Sequence, residues 1–596
     1  MKKKCDFSVV LILGFLLLGP IAISGNQVLR VVGEKNTSIP AENFQNIDYL
    51  IITGKDMAET LEPLAEWKSQ KGLRTLIMNV EDISKDFSGS DLAEKMKNCI
   101  NKFYQNNHTN WVVLAGDFDT VPTREAYSQE YYPSDGDTVS CDYYYSDLDH
   151  DWDSNNDGVW GSDDDDKDYI AEVYVGRLCT NNIAEMENMI QNIIQYETDP
   201  DVGPWMTSAL YAGAFLVFDS DYNDNDTVDF GECDANRNHN FLANRLPENW
   251  TSVILAEDEG LKNSSYYYDL PLTNVSLQEQ INNGFSTGYI VGHGNPQRMI
   301  RLVFNTDLDG DGLFDYTADP YNAGGSKIDV DARFDLISTN GAMNLTNNRL
   351  GMYYLGGCST GTFDDANDCL SEYFLKTAAI GCIAGSRVVW GEDQWTEREH
   401  GGWYSDGLSV RFWEQLYLYN QPGKAFSYAK ADYVADRESL GPDADNKTYY
   451  PNWEQKVLKQ FNLLGDPEVN LWQTIPEALN ITHIQLSSNE TMKYQVSSTN
   501  GTMAGISVTC VRGSELMWKG ISDENGEVEV PFSAEEMKFM SVTANEDQFI
   551  PSIIGNIKEY IPPKDSGIPG YNIMIFGGFC LIGVGFIISL KRKQLI

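Results

Sequence analysis

Apolar and polar positions follow two alternating periods along most of the chain. Tyr49–Thr53 is a compact apolar run, residues 57–71 have helical spacing, and 73–80 read as a strand. A helix over 91–105 and a strand at Trp111–Ala115 continue the alternation. Strands separated by amphipathic helices predict an α/β unit around a parallel sheet. The pattern resumes with a strand over 169–175, a helix over 184–196 and a strand over 208–216. It then runs through apolar segments at 285–291, 352–355 and 380–384. A second α/β unit therefore follows the first. From about Glu477 helical spacing disappears, and short alternating runs at 481–486, 505–511 and 527–530 stand between Gly and Asn turns. This texture predicts a small β-sandwich.

The ends carry different signals. Lys2, Lys3 and Lys4 precede an apolar run over 9–18 and small residues around Ala22 and Ser24, which predicts a signal peptide over 1–25. Residues 571–590 carry no charge and are followed by Lys591, Arg592 and Lys593. That length of helix rises about 30 Å, enough to cross a bilayer. The basic tail, 591–596, is expected inside and the bulk of the chain outside, at the cell surface. Between these ends the reading gives a short linker at 26–46, an α/β subdomain over 47–200, a second over 201–475, the sandwich over 476–560 and a Pro- and Gly-rich linker at 561–570.

Composition narrows the classes. Of 596 residues, 88 are acidic and 43 basic, a formal charge of −45 that repels phosphate backbones, so nucleic acid is excluded as a partner. With 42% hydrophobic and 12% aromatic residues, wholesale disorder is excluded too. The cysteines include no Cys-x-x-Cys pair, which argues against a disulfide scaffold and a zinc ribbon.

The acid is not evenly spread. Asp153, Asn155, Asp157, Gly158 and Asp164 occupy positions 1, 3, 5, 6 and 12 of a loop whose alternate oxygens can converge on one hard cation. Asp307, Asp309, Asp311, Gly312 and Asp315 repeat the opening, with Ala318 at position 12. Asp221, Asn223, Asn225, Asp229 and Glu232 form a third, glycine-free variant. The first two loops predict structural calcium, and the third is open between calcium and a solvated acidic loop.

Two apolar strands end in reactive residues, one in Gly292-His293-Gly294 and the other in Gly356-Gly-Cys358-Ser-Thr-Gly361. In a parallel sheet the carboxyl ends of adjacent strands open on one crevice, where an imidazole could activate a thiol and protonate a leaving amine. The backbone amides of Gly294 and Cys358 are candidate oxyanion donors.

The chain also resembles the gingipain-type cysteine peptidases of the caspase-like fold, from about residue 47 to 471. The likeness rests on Trp111-Val-Val-Leu-Ala-Gly-Asp117 with Val121-Pro-Thr-Arg124, the acidic segment from Cys141 to Gly161, and Glu172-Val-Tyr-Val-Gly-Arg177. It continues through the His293-Gly and Cys358 motifs, Cys369-Leu-Ser-Glu-Tyr-Phe, and Asn462-Leu-Leu-Gly-Asp-Pro467. The resemblance implies a caspase-like catalytic region of two α/β subdomains with mainly parallel sheets, the second of them catalytic, followed by an immunoglobulin-like sandwich. It implies a peptide-bond hydrolase acting on protein or peptide substrates, with Cys358 as nucleophile and His293 as general acid/base. Glu172 is the candidate carboxylate orienting the histidine, its structural alternative being a pair with Arg177. Ser386 and Trp390 are candidates for the specificity pocket. The chain departs from the family pattern in the acidic loop between His293 and Cys358. It departs also in the short stretch before the first strand, from which a large propeptide is expected to be absent. Two other readings use the same features: a calcium-stabilised surface adhesin on a peptidase scaffold, and a transpeptidase using the same dyad.

Overall fold

The computed structural model describes residues 46–129, 138–216, 234–307, 330–391, 402–440, 451–486 and 491–555. An 11-stranded sheet runs through its α/β part in the order Thr75–Asn79, Tyr49–Thr53, Trp111–Ala115, Tyr174–Leu178, Phe461–Gly465, Ala379–Gly385, Gly351–Gly356, Thr287–Val291, Ser208–Gly213, Thr251–Ala256, Leu270–Pro271. Neighbours are parallel except at one seam, where Ala379–Gly385 lies antiparallel to Phe461–Gly465. Phe461–Gly465 in turn runs parallel to Tyr174–Leu178, with Leu464 facing Arg177. Mainly parallel strands are thus found in each half, but the halves form one sheet because a late strand docks onto the early half. The halves point in opposite directions.

Strands such as Tyr49–Thr53 and Ser208–Gly213 are buried at every position, as parallel strands covered on both faces must be. Covering helices start where side chains take up free amides. Asp91 accepts the Glu94 N–H at 2.8 Å ahead of Leu92–Asn107, and Asn182 does the same for Ile183–Thr198. The strand expected over 169–175 begins only at Tyr174. Residues before it are held as a loop by the Glu172 N–H on the Ser146 carbonyl and by Tyr169 Oη on Gln455.

Beside the seam lies a buried charge network. Lys68, fully buried, places Nζ 2.5 Å from Asp466 Oδ2 and 2.6 Å from Glu468 Oε2, while Lys71 reaches Glu197 at 2.6 Å. Tyr49 Oη and Trp67 Nε1 donate to Asp466 and Glu197. Burial works against the Lys68 charge, yet the carboxylates, Asp466 foremost, hold its pKa well above the usual lysine value. One cluster thereby ties together helix Glu62–Gln70, helix Ile183–Thr198, strand Tyr49–Thr53 and the Asn462–Pro467 motif. Asn462 of that motif accepts the Asp142 N–H at 2.8 Å and donates to the Ser140 carbonyl.

The described residues of 477–555 include two four-stranded antiparallel sheets and a short parallel pair, Glu477–Ala478 with Phe549–Ile550. One four-stranded sheet contains Asn480–Leu486, Met492–Ser498, Gly501–Thr502 and Glu527–Val530; the other contains Glu515–Ile521, Ser507–Arg512, Ser541–Asn545 and Ser552–Ile554. Ile481, Tyr494, Val496, Val508, Val528 and Val542 share one core between them, so the expected β-sandwich is present. It rests on helix Glu62–Gln70 through Ser69 Oγ on the Ser514 carbonyl (2.6 Å) and Thr509 Oγ1 on the Gln70 carbonyl (2.7 Å). No helix among the described residues is long and apolar enough to cross a membrane. The signal peptide, the 571–590 segment and the loop at 221–232 lie outside the described residues, as do Asp309, Asp311 and Asp315.

Candidate active site

Thr287–Val291 and Gly351–Gly356 are parallel neighbours with Val291 opposite Gly356, so the chain leaves both at the same edge, toward His293 and Cys358. The two exits touch. A Cβ on Gly294 would lie 2.6 Å from the Cys358 carbonyl oxygen and 2.9 Å from its nitrogen, so only glycine allows this approach. On the far side of the histidine, the extension of strand Ser208–Gly213 supplies the Leu216 carbonyl, 2.5 Å from His293 Nε2. A carbonyl only accepts, so Nε2 carries the hydrogen and Nδ1 is left as the basic nitrogen of the neutral ring.

Cys358 is half-buried, whereas the other described cysteines are buried. Its Sγ lies 3.4 Å from the Val389 N–H donor and 3.7 Å from the Val389 carbonyl. The next residue, Ser359, has φ of +56°, a left-handed turn that swings the chain sharply away from the strand. The Ser359 N–H bonds the Arg387 carbonyl at 2.8 Å, and the Gly361 N–H bonds the Gly385 carbonyl at 2.9 Å. The turn after Cys358 is thus laid along the segment that follows strand Ala379–Gly385.

Two expected members are placed elsewhere. Glu172 accepts the Leu148 N–H at 2.7 Å and sits among Asp149, Asp147 and Asp168, whose charges, after burial itself, push its pKa up. It is not brought to His293. Nor does it pair with Arg177, whose guanidinium takes Asp142 instead (2.6 Å). Ser386 is fully buried and turns its hydroxyl to the Ser140 carbonyl, so it faces the interior and not an open pocket. Trp390 follows Val389 directly, and its ring stacks on Trp453 at 4.3 Å and 5°.

Among the acidic loops, residues 153–158 form a compact turn with Asn156 and Gly158 left-handed. Asp153 accepts the Gly158 N–H, Asn155 Oδ1 the Asp157 N–H and Asp157 Oδ1 the Val159 N–H, while Asp157 Oδ2 accepts from Asn155 Nδ2 at 3.0 Å. Asp164, expected to close the loop, is exposed, while the buried Asp165 turns back toward Ser154 and Ser162. Nearby, Asp147, Asp149, His150 and Asp168 bring ligand atoms within 4.8 Å of one another. This group has no regular spacing and left no mark in the sequence pattern.

Helix Leu370–Thr377 braces the turn after Cys358, the Ser371 N–H bonding the Thr360 carbonyl at 3.0 Å. Its Glu372 is buried, and that burial pushes the carboxyl pKa up to about 7. Between the unfolded value, 4.5, and about 7, the folded state keeps a proton that the unfolded state has lost, so this contribution to stability falls as pH rises through that window. Glu372→Gln, which can still accept the Cys369 N–H, is expected to remove the slope and to stabilise the fold at pH 8 by about 3 kcal/mol. Urea unfolding at pH 5 and pH 8 measures this difference.

Comparison with known proteins agrees with this architecture. The family model described as Peptidase family C25 matches residues 42–472. Gingipain R2 of Porphyromonas gingivalis (strain ATCC BAA-308 / W83) is 23% identical over 258 residues, 43% of this chain and 29% of that protein. Gingipain R1 of the same species is 22% identical over 258 residues and is covered over 21% of its length. The chain therefore spans less than a third of these relatives. The crystal structure of the Arg specific cysteine proteinase gingipain R superposes with a TM-score of 0.56 at 17% identity, covering 86% of this chain and 98% of that one. A complex of the RgpB pro- and mature domains from Porphyromonas gingivalis gives the same TM-score, 0.56. At these identities the superpositions establish a shared fold, and the family match, which takes in both His293 and Cys358, establishes that the chain belongs to peptidase family C25.

Proposed function

We propose that this chain is a cysteine endopeptidase in which Cys358 attacks the scissile carbonyl and His293 moves the protons. The observation that carries the reading is the meeting of the two strand exits, with Gly294 pressed on the Cys358 backbone and His293 Nε2 tied to Leu216. Nδ1 takes the thiol proton as sulfur bonds to the carbonyl carbon, and the amides of Gly294 and Cys358 receive the developing oxyanion. The same nitrogen then protonates the departing amine, and the thioester left on Cys358 is hydrolysed by water. The relative's Arg specificity belongs to that protein. Here the charge of −45 favours the approach of basic substrates without defining a pocket. A peptide-library cleavage profile, with Cys358→Ala as control, tests the reading: cleavage at defined bonds supports it, and cleavage unchanged in the control overturns it.

The same reading extends to the rest of the chain. The 571–590 segment serves as a membrane tether that leaves the peptidase at the cell surface, and the sandwich is an immunoglobulin-like module. Calcium at the Asp153, Asn155 and Asp157 loop, and at the Asp307 loop, supplies charge compensation and holds long connections in place without entering the reaction. A cation binding mainly the native form adds about 2.7 kcal/mol at a hundredfold excess over its Kd. Chelator is expected to lower the melting temperature and millimolar calcium to restore it. Unchanged melting, with no calcium by elemental analysis, would return these loops to ordinary solvated acid.

A further inference from the structure

The Cys358 thiol meets the opposing segment at Val389, facing both its N–H and its carbonyl, which belong to successive peptide groups. The N–H is 3.4 Å from Sγ and the carbonyl oxygen 3.7 Å. A thiol can donate to that carbonyl; a thiolate can only accept, and the Val389 N–H is placed to donate to it. What fixes the Val389 backbone is two residues upstream. Arg387 makes a two-pronged pair with Asp364, NH1 to Oδ1 at 2.9 Å and NH2 to Oδ2 at 2.6 Å, while its own carbonyl accepts the Ser359 N–H at 2.8 Å. Asp364 ends the turn that begins at Cys358. The pair is largely shielded, its side chains 19% and 11% exposed, and Arg387 outweighs burial to hold the Asp364 carboxyl below its usual range. Thr362 Oγ1 on the Ser386 carbonyl (2.9 Å) completes the seam.

We propose that Arg387 and Asp364 are positioning residues for the nucleophile: their ion pair clamps residues 386–389 to the turn 358–364, so that the Val389 N–H stabilises the ionised sulfur. The inference rests on Cys358 being the nucleophile, and it names a device that neither residue's chemistry supplies directly. Among the described residues, charged or titratable groups bordering this seam include His293 from the neighbouring strand exit, Arg387 and Asp364 themselves, Arg177, whose guanidinium lies 5.0 Å from the Phe363 ring centroid, and Asp406. The last has Oδ2 2.9 Å from where a Gly391 Cβ would stand. A hydrogen bond to the charged form favours that form, and its loss disfavours it.

The test is the pH dependence of Cys358 alkylation by iodoacetamide, read by peptide mass spectrometry so that other cysteines do not enter. In Asp364→Asn the midpoint is expected to rise by about one pH unit, a tenfold loss of thiolate below it. The acid limb of kcat/KM should shift equally while KM stays unchanged. Arg387→Lys keeps the charge but not the fork, so it should behave like Asp364→Asn if clamping matters; a wild-type midpoint in Arg387→Lys would show that charge alone suffices and overturn the clamp. A wild-type midpoint in a cooperatively folded Asp364→Asn overturns the proposal as well. If Asp364→Asn does not fold, Arg387→Lys decides alone. Alkylation needs no peptidase turnover, so failure here is distinct from failure of the peptidase reading, which Cys358→Ala tests.

Discussion

Cys358→Ala is expected to lower peptide-bond cleavage on the order of a thousandfold or more without loss of the fold. The thiol is half-buried at a strand exit and its neighbours bond through backbone, so its removal deletes the proposed reacting atom and little packing. His293→Ala should fall by a comparable factor, because the proton then has no acceptor held by the Leu216 carbonyl. Residues acting as one unit are not additive, so the double variant should fall no further than the worse single one. Purified variants with matching circular dichroism, assayed for kcat/KM, provide the comparison. Retained activity in either would leave the crevice without the assigned chemistry.

The largest expected effect on stability is Lys68→Met. Methionine fills the stem's volume but leaves Asp466, Glu197 and Glu468 with Lys71 as the remaining cation of the cluster. Removing one partner from a buried ionic cluster costs about 3–5 kcal/mol, because the charges left behind stay desolvated. Urea unfolding at pH 7 should show this loss, and it should shrink toward pH 5 as an abandoned carboxylate protonates. An unchanged midpoint would mean that the network is neutral with respect to an apolar replacement, and that helix Glu62–Gln70 is held by its packing alone.

Much of the fold was legible because burial on both faces writes itself as apolar runs. Tyr49–Thr53 and Trp111–Ala115 are strands with the bounds that the pattern gives. The sandwich was legible in the same way, from short alternating runs between turns. The seam was not, since Phe461–Gly465 takes its place between Tyr174–Leu178 and Ala379–Gly385 through pairing across most of the chain. His293 and Cys358 announced themselves by ending apolar strands in glycine turns. Glu172 misled because a motif fixes a residue's place in the chain and not its partner: it lies in the loop before strand Tyr174–Leu178, on the Leu148 N–H, and Asp142 takes Arg177. The Leu216 carbonyl and the Val389 amide carry no side-chain signature at all. Arg387 stands among small and apolar residues, but Asp364 is one of three aspartates over 364–368, so the pattern did not single out the pair.

The most direct test of the central claim is to trap the acyl-enzyme. The purified protein is mixed with a cleavable peptide ester, quenched in acid within milliseconds, digested and mapped by mass spectrometry. The account predicts the acyl mass on the peptide containing Cys358, absent in Cys358→Ala and slow to form in His293→Ala. Steady cleavage with no acyl group on Cys358, or an adduct on another residue, would contradict it.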